Sequence, residues 1–293
     1  MSGPAMLAHL LLERLSRRVL ARVPEPDLVM SDPVQIAAFC DSGGDAGVLA
    51  FTHLFHAVHM TPLLRPGDRI LDLACGPASQ LAQIALLNPR ASFVGLDASA
   101  NMLEAARSTL ARSGIGNVEL VAGDMTRLSG VFDDASMDCV MCTMSLHHLR
   151  DTDALARTMG EVRRVLKPGG AVYFVDFGRL KRASTQRFFA NDRSDRQCLQ
   201  FTQDYLRSLQ AAFSCDELAE AVAMLGPGLL RYQTPLAPFM LVFKSAPRRT
   251  LDAATQSLIR EAYSRLTAAQ QEDFRVFARW FRAGGYVLPP PLG

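Results

Sequence analysis

Acids and small residues recur at the ends of apolar runs along one stretch of the chain, and their spacing describes a ligand. Ile70-Leu71-Asp72-Leu73 runs into Ala74-Cys75-Gly76-Pro77-Ala78, a turn with small residues at 74, 76 and 78, followed by a helical pattern. Small residues let a ligand approach the backbone, and the N-terminus of the following helix offers free N–H groups. Asp97 ends the next apolar run, Phe93-Val94-Gly95-Leu96, 21 positions after Gly76. An acid about 20 residues beyond such a turn lies at the tip of the neighbouring strand, where it can accept both hydroxyls of a ribose. Ala122-Gly123-Asp124-Met125 ends a third run. Its carboxylate can accept from an exocyclic amine while the Met125 N–H donates to a ring nitrogen.

The elements that must hold these residues alternate. Strand-length apolar runs are expected at Arg69–Leu73, Ser92–Leu96, Val118–Ala122, Met137–Met141 and Ala171–Asp176, with helices at about 79–87, 99–113 and 152–166. Continuous apolar strands alternating with helices define a parallel sheet covered on both faces. The fourth strand leads into Cys142-Thr143-Met144-Ser145-Leu146-His147-His148-Leu149, and Val165-Leu166-Lys167-Pro168-Gly169-Gly170 turns into the fifth. A nicotinamide site would want G-x-G-x-x-G; the first and third glycines are missing, and Asp124 would have no role.

The five motifs, in this order over about residues 69–176, resemble the class I S-adenosylmethionine-dependent methyltransferases. The resemblance implies a Rossmann-like, seven-stranded α/β methyltransferase sheet, with 229–232 and 239–244 as its last two strands. It implies S-adenosyl-L-methionine as cofactor, its methionine portion held by the turn at Ala74, Gly76 and Ala78 after Asp72. Asp97 would hold the ribose, Asp124 and Met125 the adenine edge, Ala98 and Met102 the adenine face, and Thr143 would lie by the sulfonium. The family turn often reads Gly-x-Gly-x-Gly; here alanine stands at 74 and 78, still small enough for the cofactor.

Strands four and five are neighbours in this fold, so His147, His148 and Asp176 should share the rim beyond the sulfonium, as the catalytic residues. A histidine, with an ordinary pKa of about 6.5, is suited to take a proton from a hydroxyl or phenol. Resemblance to small-molecule O-methyltransferases with a Leu-His-His pattern and a strand-five Asp favours His147. The reading is direct in-line methyl transfer to a small molecule in biosynthesis or secondary metabolism. The alternatives are a protein or RNA methyltransferase, and a non-catalytic S-adenosylmethionine-binding protein. No Asn-Pro-Pro-Tyr-like signature for amino-group methylation follows strand four.

The flanks are divided as follows: 1–62 a helical lid, 63–178 the cofactor-binding core, 179–213 a substrate-facing insertion after strand five, 214–246 the rest of the core, and 247–293 a helical C-terminal appendage. One amphipathic helix is expected over 5–22, on a stripe of Leu7, Leu10, Leu11, Leu15 and Val19. Residues 178–200 read as irregular. His53, His56 and His59 lie on one helix without an acidic companion, and no metal is expected. Cys139 and Cys142 fall in a strand, where i and i+3 point to opposite faces, so C-x-x-C chemistry is not expected.

The chain has 293 residues and a net charge of +2, which gives no electrostatic support to nucleic-acid binding. The six cysteines show no framework spacing and read as reduced thiols of a cytoplasmic protein. The apolar run at 6–12 precedes its arginines, the reverse of a signal peptide, and no run reaches membrane-spanning length.

Overall fold

The computed structural model describes residues 3–27 and 29–293. Its strands are β1 (Arg69–Leu73), β2 (Ser92–Asp97), β3 (Val118–Ala122), β4 (Met137–Thr143), β5 (Leu166–Phe177), β6 (Leu230–Gln233) and β7 (Met240–Lys244). They form one sheet in the order β3-β2-β1-β4-β5-β7-β6. The first five pair in parallel, and β7 runs antiparallel to β5 and β6. Strand order reverses beside β1, which opens a crevice beyond the carboxyl ends of the strands.

Both faces of the sheet are buried, and alternate residues of each strand enter separate cores. Ile70, Cys139 and Tyr173 face one core; Leu71, Cys142 and Phe174 face the other. The two cysteines therefore lie on opposite sides of the sheet, and burial pushes both thiols up from their usual value. One core is closed by α3 (Ala50–Met60), α4 (Ser79–Leu87), α5 (Ala100–Arg112), α10 (Ala253–Arg265) and α11 (Ala268–Ala283). The other is closed by α6 (Thr152–Val165) and α9 (Cys215–Ala223). The expected C-terminal appendage is thus packed onto the sheet: Phe274, Phe277 and Phe281 of α11 meet Phe55 of α3 edge-on or tilted.

Three local readings are corrected. The first helix, α1 (Pro4–Leu15), ends there instead of continuing to 22. Of the expected apolar stripe only Leu10 is buried: Leu7, Leu11, Leu15 and Val19 are exposed, while Met6 and Glu13 lie beside Leu10 on the buried side. Glu13 sets this orientation by accepting the backbone N–H groups of Lys181 (2.7 Å) and Arg182 (2.9 Å) just before α7 (Ala183–Ala190). That helix is itself absent from the reading of 178–200 as irregular. Phe189 anchors it by stacking on Phe239 and Trp280, contacts distant in sequence. Finally, 166–170 belongs to β5, whose pairing with β4 shifts register between Met137 and Cys139.

His56 and His59 of α3 are buried apart from any carboxylate. His56 Nδ1 lies 2.9 Å from the Tyr173 hydroxyl, and the His59 ring stacks on Tyr286. Burial, reinforced by His53, pushes His56 down to about 3; burial and Lys244 hold His59 well below its usual value. As pH falls below the unfolded value of about 6.5, the unfolded chain takes up these protons first, so their contribution to stability is present above that value and lost toward pH 3. Relative to a His56→Gln variant, wild-type protein should lose melting temperature between about pH 7.5 and 5. A difference between the two proteins that does not change with pH would contradict this.

Candidate active site

The turn after β1 is shaped by three left-handed residues, Ala74 (φ 59°), Gly76 (φ 55°) and Ala78 (φ 58°). Asp97 ties it to β2. Its Oδ2 accepts the Gly76 N–H and its Oδ1 the Ser99 N–H, both at 2.8 Å. The Cys75 N–H meets the Leu96 carbonyl at 2.8 Å. A Cβ on Gly95 would lie 2.9 Å from Cys75 Sγ, so glycine there lets the turn settle on β2.

Two acids without a basic partner among the described residues share this end. Burial raises the Asp97 carboxyl, opposed by the Ser99, Gly76 and Ala98 N–H groups; burial and then Asp97 push Asp72 well above its usual range. Among the described residues, no basic side chain offsets either acid. A ligand bearing fixed or ammonium positive charge fits this pair, as the amino and sulfonium groups of S-adenosylmethionine do.

Further along the rim, Ala98 is exposed, Met102 is buried beneath the rim, and Asp124 Oδ1 accepts the Thr126 N–H at 2.8 Å. At the end of β4 the Thr143 hydroxyl accepts from Gln80 Nε2 at 3.0 Å. All nine residues expected around the cofactor, Asp72, Ala74, Gly76, Asp97, Ala98, Met102, Asp124, Met125 and Thr143, line a single cavity of about 550 Å³.

The other end of that cavity is built around His147. The chain leaves β4 through Met144 in a left-handed conformation (φ 55°) and makes a short 3-10 turn at Leu146–His148. Asp176, buried at the end of β5, binds this turn twice. Its Oδ2 accepts the His147 backbone N–H at 2.9 Å, and its Oδ1 lies 2.7 Å from His147 Nδ1. A carboxylate can only accept here, so Nδ1 carries the hydrogen and Nε2 presents its lone pair. His147 and His148 line the cavity, with Asp176 behind His147.

Burial alone would lower the His147 pKa, but the charge and hydrogen bond of Asp176, aided by Glu25, hold it above the usual value. His148, half-buried beside His147, is pushed down to about 3 by desolvation and by the charge of His147.

Sequence reasoning missed Glu25. It lies between Pro24 and Pro26 in a segment without regular structure, its oxygens 3.8 Å from His147 Nε2 and 3.4 Å from His148 Nδ1. Arg22 fastens the segment to the 3-10 turn by donating to the carbonyls of His147, Leu149 and Arg150. No motif signals a contact across more than 100 positions; the two prolines signal only a helix stop. Also missed were the aromatic walls: Phe39 from α2 (Pro33–Gly43), Phe51 from α3, Phe201 and Tyr205 from α8 (Leu199–Ala211), Phe177, Phe239 and Phe277.

Residues 70–170 match the family described as a methyltransferase domain. The ubiquinone/menaquinone biosynthesis C-methyltransferase UbiE of Pseudomonas putida is 35% identical over 118 residues, covering 40% of this chain and 44% of that protein. An uncharacterized 37.1 kDa protein in transposon TN4556 of Streptomyces fradiae is 37% identical over 107 residues, 36% of this chain and 29% of that one. The chain thus spans less than half the length of these relatives. A crystal structure of a SAM-dependent methyltransferase from Aquifex aeolicus superposes with a TM-score of 0.52 at 17% identity, over 73% of this chain and 97% of that one, a likeness of fold.

Sheet order, family match and relatives agree that the stretch 70–170 is similar to S-adenosylmethionine-dependent methyltransferase domains. Among the described residues, no helix is long and apolar enough to cross a membrane.

The family's glycine-rich turn makes one departure testable. A non-glycine residue in the left-handed region costs roughly 1–2 kcal/mol, partly offset by the greater unfolded freedom of glycine. Ala74→Gly should therefore raise stability by about 0.5–1 kcal/mol, read from the denaturant midpoint at unchanged slope. A lower midpoint would show that the Ala74 methyl contributes more than its backbone strain costs.

Proposed function

We propose that the protein methylates a small, flat, largely apolar molecule that carries an ionisable hydroxyl. The observation that carries this reading is the single cavity, with the cofactor motif residues at one end and the Asp176-oriented His147 at the other. Its volume lies in the range of small-molecule sites, and its rings offer stacking surfaces for a planar acceptor. Relatives named as C-methyltransferases of ubiquinone/menaquinone biosynthesis support a small-molecule acceptor.

The cofactor brings an already activated methyl group on its sulfonium, so the protein's task is orientation and proton management. Asp97 would hold the ribose, Asp124 and Met125 the adenine edge, Ala98 and Met102 its face. Asp72 and the turn at Ala74 and Gly76 would hold the methionine portion, and Thr143 would stand beside the reacting carbon. At the far end, His147 is placed to fix the acceptor hydroxyl and favour loss of its proton, with Asp176 holding the ring and His148 beside it. An ionised phenol is nucleophilic at oxygen and at the adjacent ring carbon, so one arrangement serves either site of methylation. Residues 1–62 and 179–213 would close over the acceptor on the scaffold of 63–178 and 214–246, with 247–293 as the appended helices, in a cytoplasmic protein.

S-adenosylhomocysteine should raise the melting temperature by mass action on the native state, and Asp97→Ala should abolish the shift. Wild-type protein indifferent to this ligand would overturn the reading. With labelled S-adenosylmethionine and a panel of phenolic and quinol acceptors, His147→Ala should lower turnover at least about tenfold while leaving S-adenosylhomocysteine affinity unchanged. Unchanged turnover would remove His147 from the chemistry; a collapse of cofactor affinity would assign it to the cofactor site.

A further inference from the structure

We propose that Glu25, His147 and His148 form a divalent-cation site at the acceptor end of the cavity, with zinc the cation favoured by the donor set. One donor atom from each residue falls within 4.8 Å of the others. The separations are informative in themselves. Glu25 Oε1 lies 3.8 Å from His147 Nε2, and Glu25 Oε2 lies 3.4 Å from His148 Nδ1. Both exceed the 2.7–3.2 Å of a good hydrogen bond. They approach the roughly 3.3–3.6 Å that separates donors arranged tetrahedrally around zinc at bonds of about 2.0–2.2 Å.

Three further features fit a cation. His147 Nδ1 is committed to Asp176 at 2.7 Å, the carboxylate–histidine pairing that fixes the tautomer of a metal-binding imidazole and leaves Nε2 free. His148 Nδ1 is buried without a hydrogen bond. The Glu25 carboxylate is held by a hydroxyl, Ser208 Oγ at 2.9 Å, rather than by a lysine or arginine. Two histidines and one carboxylate leave a fourth position open, and the cavity lies on that side.

The inference rests on the reading above for the acceptor, but on donor geometry for the cation. An acceptor hydroxyl entering the fourth position would bond to the cation through oxygen, its O–H bond breaking and its proton passing to solvent. The cation would then ionise the acceptor in place of the His147 lone pair, which it occupies. The sequence alone gives no sign of a metal, since this cluster forms only when Glu25 is brought to the rim.

The test uses the full chain, stripped with a chelator and then titrated with Zn2+ or Co2+ against a chromophoric competitor. One equivalent should bind, and Co2+ should show the ligand-field absorption of a low-coordinate nitrogen–oxygen site. Glu25→Gln and His148→Ala should each abolish that absorption, Asp176→Asn should weaken binding about 10–100-fold, and His56→Gln should bind as wild type. S-adenosylhomocysteine binding, measured on every variant, reports that the fold and cofactor site are intact. Absence of stoichiometric binding by a wild type that still binds S-adenosylhomocysteine would overturn the cation site alone. So would binding that survives both Glu25→Gln and His148→Ala. Loss of S-adenosylhomocysteine binding by wild type would instead strike the methyltransferase reading.

Discussion

The Asp176 carboxylate holds the His147 end of the cavity together. Buried at the end of β5, it accepts from the His147 and Phe177 backbones and from the His147 ring, so one side chain joins the fifth strand to the turn that leaves the fourth. A buried carboxylate without such partners would carry a desolvation cost of several kcal/mol. Three donors converging on two oxygens remove most of that cost, and they also choose the imidazole tautomer. The direction in which His147 offers its lone pair follows from a strand-end acid, not from the turn's own geometry.

The N-terminal segment is fastened by the same kind of interaction, a charged side chain saturating backbone groups. Glu13 caps the N-terminus of α7, and Arg22 donates to carbonyls of the 3-10 turn and to Ala211 while its guanidinium lies 3.9 Å over the Phe213 ring. Hydrogen bonds to charged groups contribute about 1.5–3 kcal/mol each, enough for a segment with few apolar contacts. From Ser16 to Glu25 the chain has no regular secondary structure, and Pro24 and Pro26 exclude a helix around Glu25. The exposed Leu7, Leu11 and Leu15 of α1 accompany this: Glu13 faces α7 with Met6 and Leu10, and most of the apolar stripe is left in solvent.

The rim is divided by charge. Over β1 and β2, Asp72 and Asp97 are two carboxyls that burial pushes up, with no basic side chain among the described residues to offset them, so a positively charged ligand would favour their ionised forms. Over β4 and β5 the acids are matched with imidazoles, and aromatic rings from both flanking segments complete the wall. The two halves share one cavity because β1 and β4 are adjacent, the position at which strand order reverses.

The sheet, and the rim of small residues and acids at its strand ends, were legible in the sequence because their determinants are local. Apolar runs of strand length, the small-residue turn at 74–78 and the acid 21 positions later each depend on a few consecutive residues and on the fixed geometry of parallel strands. His147 and Asp176 could be named for the same reason, as ends of neighbouring strands. Everything that depends on contacts across the chain was decided by tertiary structure. This includes the arrest of α1 at Leu15, the formation of α7 around Phe189, the seating of α11 on α3, and the arrival of Glu25 beside two histidines more than 120 positions away. Periodicity reports which residues can share a face of one element. It carries no information on which distant carbonyl an arginine will find, since that depends on how the finished elements pack.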